Sequence, residues 1–192
     1  MQDDAGHYDQ LAERAYRQGD TRLALHLWTQ ALARRPGDPA LLKQRARLLV
    51  ELERFSEAEQ DAWSGLRHNP DDPDLLLYHG SALVARAEFG GALADFTRLL
   101  TLMPDNANLH VNCAEMAMWL SDYATAEAGF AAALMLDPAN VAAHFGMARV
   151  QALQGQCTAS RVWLRRLAGL HNPLAGPLLL ELDHDPCFRR CR

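Results

Sequence analysis

Apolar residues in this chain recur every three or four positions, in short stretches that come in pairs. The first pair has apolar positions at Tyr8, Leu11, Ala12 and Ala15, and then at Ala24, Leu27, Trp28 and Ala31. This spacing puts each set on one face of an amphipathic helix. Gly19 and Asp20 lie between the two stretches and are typical of a tight turn. The pattern therefore predicts a helical hairpin.

The same paired pattern repeats along the chain at a fixed interval. Successive prolines lie 34 residues apart at Pro36, Pro70, Pro104 and Pro138, and Pro173 follows 35 residues later. Two further series keep the 34-residue step: Ala12, Ala46, Gly80, Ala114 and Ala148, and Trp28, Ala62, Phe96 and Phe130. Small residues let two helix backbones approach closely, and the aromatic residue fills the space beside that contact. A period in this range is typical of stacked structural repeats.

Capping residues mark where each later hairpin begins. Asp38-Pro39 and Asp72-Pro73 each combine an N-cap acid with a proline at the first helical position. Asn106 and Asn140 occupy the equivalent place in the next two units. The prolines at the 34-residue step end the second helix, because proline lacks the backbone N–H that a helix interior needs.

These residues resemble the tetratricopeptide repeat family. The first unit matches the family signature with Tyr8, Leu11, Ala12, Ala15, Ala24, Trp28, Ala31 and Pro36, and the fourth matches with Ala114, Ala126, Phe130, Ala133 and Pro138. The departures are Arg45 and Ala62 in the second unit, His79 and Leu99 in the third, and Ser160 and Asn172 in the fifth. The resemblance implies an all-α fold, a right-handed superhelical solenoid of tandem antiparallel helical hairpins with a C-terminal capping helix.

The repeat step sets the expected boundaries. Five repeats are predicted at 5–38, 39–72, 73–106, 107–140 and 141–173, of which the last is degenerate. Residues 174–183 are predicted to form the capping helix, because Leu178, Leu179 and Leu182 would cover the apolar face of the last hairpin. Residues 184–192 carry no clear structural signal.

The resemblance also implies where a partner binds, since the first helix of each hairpin lines the concave groove in that family. The groove candidates are Lys43, Arg47, Leu77, Val111, Met118, Trp119, Phe145 and Arg149. Trp and Arg are frequent hot-spot residues, and an apolar groove suits an amphipathic helix or an extended apolar peptide. For Leu77, Val111 and Met118, packing in the core is an equal alternative, because aliphatic stripes usually face the interior.

The sequence favours a non-enzymatic protein-interaction module that holds a protein or peptide, with no cofactor. No phosphate loop, nucleophile elbow or zinc-protease motif is present. The net charge of −5 argues against nucleic acid as the partner. The clamp with which some family members hold a chaperone's C-terminal carboxylate is not expected here, because Arg47 rather than Asn follows Lys43, and Asp74 and Tyr78 stand where cations are needed. Self-association is left open.

Two alternatives concern other classes of function. His184, Cys187 and Cys191 could supply three zinc ligands, although a structural site needs a fourth, and a mobile tail with incidental thiols is the preferred interpretation. Cys113 is expected to be a small buried residue, and His79 a partly buried one with its polar atoms satisfied. A chaperone or regulator of a bacterial secretion system is the second alternative, from general similarity to repeat chaperones of that kind.

The expected location is the cytoplasm of a bacterium. The N-terminus, Met1 to Asp4, is acidic and lacks the apolar stretch of a signal peptide, and no segment approaches the length of a membrane span. The four cysteines fit reduced thiols in that compartment. Abundant arginine and alanine beside a single lysine, Lys43, are typical of a GC-rich bacterial gene.

Overall fold

A computed structural model describes residues 4–170, 172–180 and 186–191. The chain divides into two compact units, one ending at Leu99 and the other beginning at Leu100, and each is described by itself. The described residues are almost entirely helical and contain no β-strand. None of the described helices is long and apolar enough to cross a membrane.

Consecutive helices pair into hairpins along the chain. The helices are α1 (Asp4–Arg17), α2 (Thr21–Arg34), α3 (Pro39–Glu51), α4 (Phe55–Leu66), α5 (Pro73–Ala85), α6 (Phe89–Leu102), α7 (Ala107–Trp119), α8 (Tyr123–Leu136), α9 (Val141–Leu153), α10 (Cys157–Ala168) and α11 (Ala175–Leu180). In the first unit α1 packs on α2 and α3 on α4, and in the second unit α7 packs on α8 and α9 on α10. The predicted all-α fold of tandem helical hairpins is confirmed.

The predicted start signals form the expected hydrogen bonds. The Asp38 carboxylate accepts from the backbone N–H groups of Ala40 and Leu41, and Asp72 caps α5 in the same way. Asn106 and Asn140 cap α7 and α9 through their side-chain oxygens. These bonds satisfy N–H groups that have no partner within the helix.

One residue in the turn inside each hairpin adopts the left-handed backbone conformation. Gly19 has φ +79° and Gly155 has φ +78°, a region that glycine enters without a steric penalty. Ser121 reaches φ 64° in the equivalent turn between α7 and α8. Glu53 (φ 57°) and Ala87 (φ 59°) adopt the same conformation in the second and third hairpins, so glycine encodes only part of these chain reversals.

Each unit has a core built from the periodic positions. In the first unit Trp28 is fully buried among small residues of α1 and α2, which include Ala12, Ala24 and Ala31. In the second unit Phe130 is fully buried against Ala114 and Ala143. In these two hairpins small residues therefore pack around one aromatic residue, as the 34-residue pattern predicts.

The C-terminal tail differs from the prediction, whereas the helix before it does not. Helix α11 lies within the predicted capping segment, and its Leu178 and Leu179 pack against Val141 of α9 and Leu167 of α10. Residues 181–183 and His184 lie outside the described residues. Pro186–Cys191, expected to be a mobile tail, forms a 3₁₀ helix that packs on α9. The expectation of reduced thiols is wrong for two of the four cysteines, because Cys157 and Cys191 form a disulfide. Burial of the apolar side chain of Phe188 removes it from water and so favours packing of this short segment.

Candidate functional site

The exposed side of the first helix of each hairpin is called here the A-helix surface. Its chemical character differs between the two units. In the first unit it is formed by α1, α3 and α5, and its cations are paired within the protein. Lys43 Nζ lies 3.1 Å from Asp72 Oδ2 and 3.3 Å from Asp74 Oδ2. Burial alone would lower the pKa of Lys43, but hydrogen bonds to the two aspartates raise it overall, so Lys43 stays charged.

Arg47 is also engaged within the first unit. Its guanidinium lies 4.3 Å from the centre of the Tyr16 ring, and its Nη2 lies 3.7 Å from Glu13 Oε2. The Tyr16 hydroxyl donates a 2.6 Å hydrogen bond to Glu51, and this bond raises the pKa of Tyr16. A partner binding here would compete with interactions that the protein already makes.

Leu77 lies on α5 of the same surface and is 37% exposed. Its neighbour Tyr78 is half-buried, and burial raises the pKa of the phenol. Of the two interpretations that the sequence left open for Leu77, the structure supports a surface position, since a core leucine would have lost nearly all of that exposure.

In the second unit, α7 and α9 bring an exposed tryptophan next to an arginine. Trp119 ends α7 and is 52% exposed. The Arg149 guanidinium lies 5.4 Å from the centre of the Trp119 ring and 5.9 Å from that of Phe145. Arginine over an aromatic face is attracted by the ring quadrupole. We call these three residues the Trp119 cluster.

A partly buried carboxylate completes this part of the A-helix surface. Glu115 lies one helical turn before Trp119, and burial raises the pKa of its carboxyl, while the charge of Arg149 partly offsets that effect. The Trp119 cluster and Glu115 together present an aromatic face, a cation and an acid whose charge is only partly stabilised.

Val111 and Met118, two other sequence candidates, are placed in the core. They are 5% and 3% exposed and pack in one apolar group with Phe130 and Val150. Core packing, one of the two interpretations left open for them, agrees with this burial. Their side chains position α7 and offer almost no surface to a partner.

Phe145 has a further contact that the sequence did not reveal. Its ring centre lies 5.9 Å from that of Phe188, in the C-terminal 3₁₀ helix. Phe145 therefore connects the Trp119 cluster to the C-terminal segment. The sequence carried no signal for this contact, because the C-terminal segment follows no repeat pattern.

The remaining histidine and cysteine candidates have structural surroundings. His79 is mostly buried, its Nδ1 lies 2.6 Å from Asp95 Oδ2, and its ring stacks on Trp63, as the prediction of a satisfied histidine requires. Cys113 is half-buried rather than fully buried. Cys191 is bonded to Cys157, so its sulfur cannot ligate a metal in this state, and no metal-binding group of three occurs among the described residues.

Comparisons with known proteins agree with this architecture. A tetratricopeptide repeat family model matches residues 15–77. A comparison with curated protein sequences found no match.

Solved structures resemble the chain over most of its length. MamA (residues 41 to the end) from Desulfovibrio magneticus RS-1 aligns with a TM-score of 0.82 at 18% identity, over 88% of this chain and 96% of that one. YrrB, described as "a TPR protein with an unusual peptide-binding site", aligns with a TM-score of 0.83 at 18% identity, over 95% and 93%. TTC0263, a thermophilic TPR protein from Thermus thermophilus, gives 0.61 at 20% identity, over 92% and 99%. The tetratricopeptide repeats recognised in the sequence are thus confirmed: residues 15–77 match the family model, and the chain has the tetratricopeptide repeat fold.

Proposed function

We propose that this chain is a non-enzymatic protein-interaction module that binds a peptide or helix of a partner protein on its A-helix surface. The observation that carries the proposal is the Trp119 cluster, in which a half-exposed tryptophan is held against Arg149. Tryptophan and arginine are enriched among the residues that dominate binding energy at interfaces. Tryptophan buries a large apolar area on a rigid ring, and the arginine guanidinium offers several hydrogen-bond donors in a fixed plane.

The second unit is the preferred site for the partner. In the first unit Lys43 is paired with Asp72 and Asp74, so a ligand gains less from its charge. Arg47 lies 3.7 Å from Glu13, and its buried Nε and Nη2 make no hydrogen bond with the described residues. Leu77 adds exposed apolar area there, which makes it a secondary contact. Val111 and Met118 support the binding helix from behind and do not contact the ligand.

The chemistry of the Trp119 cluster indicates the kind of segment that fits. An aromatic face with a neighbouring guanidinium suits an apolar side chain followed by a carboxylate or a carbonyl oxygen. Glu115 would disfavour a second carboxylate placed beside it, because like charges repel in a partly buried setting. The peptide-binding site ascribed to YrrB is consistent with this use of the fold.

The test is capture of partners with matched tryptophan variants. The tagged protein is used to purify partners from its native organism, and they are identified by mass spectrometry. Trp119→Ala and Arg149→Ala should each weaken recovery of the partner about tenfold or more, which is the scale of a hot-spot residue. Trp63→Ala is the control, because Trp63 is 59% exposed but lies on α4, outside the A-helix surface.

The controls distinguish binding at the Trp119 cluster from non-specific binding by an exposed tryptophan. Circular dichroism should show unchanged helicity in all three variants. Equal losses with Trp63→Ala and Trp119→Ala, or full recovery with Trp119→Ala, would remove the Trp119 cluster as the binding site. An unfolded secreted substrate among the captured proteins would support the secretion-chaperone alternative over a folded adaptor partner.

The proposed location stays the cytoplasm, and the disulfide makes that proposal more specific. Disulfides are rare in cytosolic proteins, where those present are usually transient or redox-sensing. A cytoplasmic protein with the Cys157–Cys191 bond would therefore hold it reversibly. Self-association of the chain is a separate question, and light scattering of the purified protein measures it directly.

A further inference from the structure

The apolar end of the fifth hairpin is covered by the C-terminal segment of the same chain. We call this surface the end face; it is formed by Ala148 and Ala152 of α9 and by Trp163 and Leu164 of α10. In a longer array the next hairpin would cover such a surface. Here Cys187 and Phe188 of the 3₁₀ helix lie on it, and they are only 7% and 6% exposed.

Three kinds of interaction attach this segment to the fifth hairpin. Phe188 packs on the end face and lies near Phe145, and Arg161 Nη2 donates a 3.2 Å hydrogen bond to the backbone carbonyl of Cys191. The third attachment is the Cys157–Cys191 disulfide. A 3₁₀ helix of six residues has poor hydrogen-bond geometry and costs chain entropy to fix, so it is marginal without external attachment. The covalent bond is therefore the strongest of the three.

The surroundings of the disulfide favour its reversible reduction. Cys157 is the first residue of α10, so the N–H groups of that helix terminus stabilise negative charge on its sulfur. A sulfur that carries charge well is also a good leaving group in thiol–disulfide exchange. Both cysteines are half-buried rather than enclosed, which leaves the bond within reach of a small dithiol.

We propose that the Cys157–Cys191 disulfide is a thiol-controlled latch that holds Pro186–Cys191 on the end face, and that its reduction uncovers the end face. The co-reactant is a dithiol reductant. One of its thiolates attacks Cys191 and displaces the Cys157 thiolate, and its second thiolate then releases Cys191. The protein disulfide gains two electrons and two protons to become two thiols, and the dithiol is oxidised to a cyclic disulfide.

The latch does not require the proposed partner-binding function, although the two sites share one residue, Phe145. Phe145 contacts Phe188 on one side and lies near Arg149 on the other. Release of the segment would remove one support of Phe145 and so alter the Trp119 cluster. The direct test uses the tail itself and requires no partner, so failure of the latch is distinguishable from failure of partner binding.

The experiment measures hydrogen exchange of the full chain with and without a dithiol reductant such as dithiothreitol. Reduction should raise exchange of the backbone amides in 187–191 on the order of 100-fold, as expected when a cross-link closing a loop of this length is removed. Amides in α1 and α2 should not respond. Site-resolved alkylation by N-ethylmaleimide gives a second readout, because Cys187 should react slowly when oxidised and quickly when reduced.

Two serine variants separate the latch from general thiol effects. Cys191→Ser should show fast exchange of the backbone amides in 187–190 without reductant, and added reductant should change nothing further. Cys113→Ser should keep the response of the original protein, because Cys113 lies on α7, outside the bond. The proposal is overturned if the reduced protein and Cys191→Ser keep the segment protected, or if protein purified without reductant contains four titratable thiols.

Discussion

The guanidinium of Arg45 donates two hydrogen bonds to the carboxylate of Asp61, 2.7 Å from Nε and 2.8 Å from Nη2. The two residues lie on the facing helices of one hairpin, and their side chains are 22% and 8% exposed. One repeat earlier, the same two positions hold Leu11 and Leu27. A charged pair therefore replaces an apolar pair, and neither charge is left buried alone.

Removal of one member of this pair should destabilise the first unit. In Asp61→Ala the Arg45 guanidinium would stay partly buried without its bidentate partner, and breaking such a buried pair costs about 3 kcal/mol. The free energy of unfolding, measured in urea, should fall by that order while the helical content in water is retained. An unchanged urea midpoint would mean that solvent already screens the pair.

Replacement of both residues by leucine should have a much smaller effect. The Arg45→Leu, Asp61→Leu double variant restores the residues of the first hairpin, and apolar replacements of buried ion pairs are often neutral or stabilising. We expect a free energy of unfolding within about 1 kcal/mol of the original protein. A double variant as unstable as Asp61→Ala would show that the site cannot accommodate an apolar pair.

The sequence predicted the regular part of this fold because its signals are local. The caps at Asp38 and Asn140 and the turn at Gly19 each depend on residues within a few positions of one another. Arg45 departs from the family signature, and this departure is anomalous only when the residue is considered without its partner. Its partner lies 16 residues further on, and His79 has Asp95 at the same separation. Comparison of paired positions across repeats would have predicted both contacts.

The candidate site was harder to predict, because a helical pattern defines a stripe without fixing its edges. Met118 and Trp119 are adjacent in sequence, yet one is 3% exposed and the other 52%. A step of one residue rotates the side chain by about 100° around the helix axis, which separates core from surface. The contact of Phe145 with Phe188 could not be predicted either, because the C-terminal segment follows no repeat pattern.

Gly80 provides a test in which sequence and structure disagree. The repeat series allows alanine at this position, as in Ala12 and Ala114, so the sequence predicts that Gly80→Ala is tolerated. In the structure a Cβ added at Gly80 would lie 2.7 Å from Cε1 of Phe96, which is buried and cannot move freely. Overpacking of this kind costs about 1–3 kcal/mol, to be measured by thermal or urea unfolding.

Gly90→Ala is the matched control for that substitution. Gly90 lies in α6, and a Cβ there would meet open space. Alanine restricts the unfolded chain and favours helix, so we expect a gain of about 0.5–1 kcal/mol. If both alanine variants were stabilised alike, the close approach of Phe96 to Gly80 would be wrong.

Trp28 should be only partly replaceable by the phenylalanine that occupies its position in the third and fourth repeats. Its side chain is fully buried, and its Nε1 donates a 2.9 Å hydrogen bond to Asp9 on α1. Trp28→Phe keeps the aromatic packing but removes this donor, so we expect a loss of about 1–3 kcal/mol. Asp9→Ala removes the acceptor of the same bond. When it is added to Trp28→Phe, the further loss should be smaller than the loss from Asp9→Ala alone, because the bond is already absent. Additive losses would contradict the pairing.

The carboxyl of Glu115 should make stability fall as pH rises. Burial raises its pKa above the ordinary value of a glutamate, despite the opposing charge of Arg149. Below the ordinary value the group is protonated in both folded and unfolded states, and the favourable contribution of its neutral form is fully present. Between the ordinary and the raised value the folded state binds more protons, so the free energy of unfolding decreases through that window and stays lower above it.

Glu115→Gln removes this titration and isolates it from other carboxyls. The stability of the variant relative to the original protein should increase from about pH 4 upward and then level off above the raised pKa. Asp105→Asn, at an exposed carboxyl of the same unit, is the control and should leave the shape of the curve unchanged. Urea unfolding at a series of pH values measures both. Parallel curves for Glu115→Gln and the original protein would show that the carboxyl is solvated. The surface formed by Glu115 and the Trp119 cluster would then be more open and more polar than the burial of Glu115 indicates.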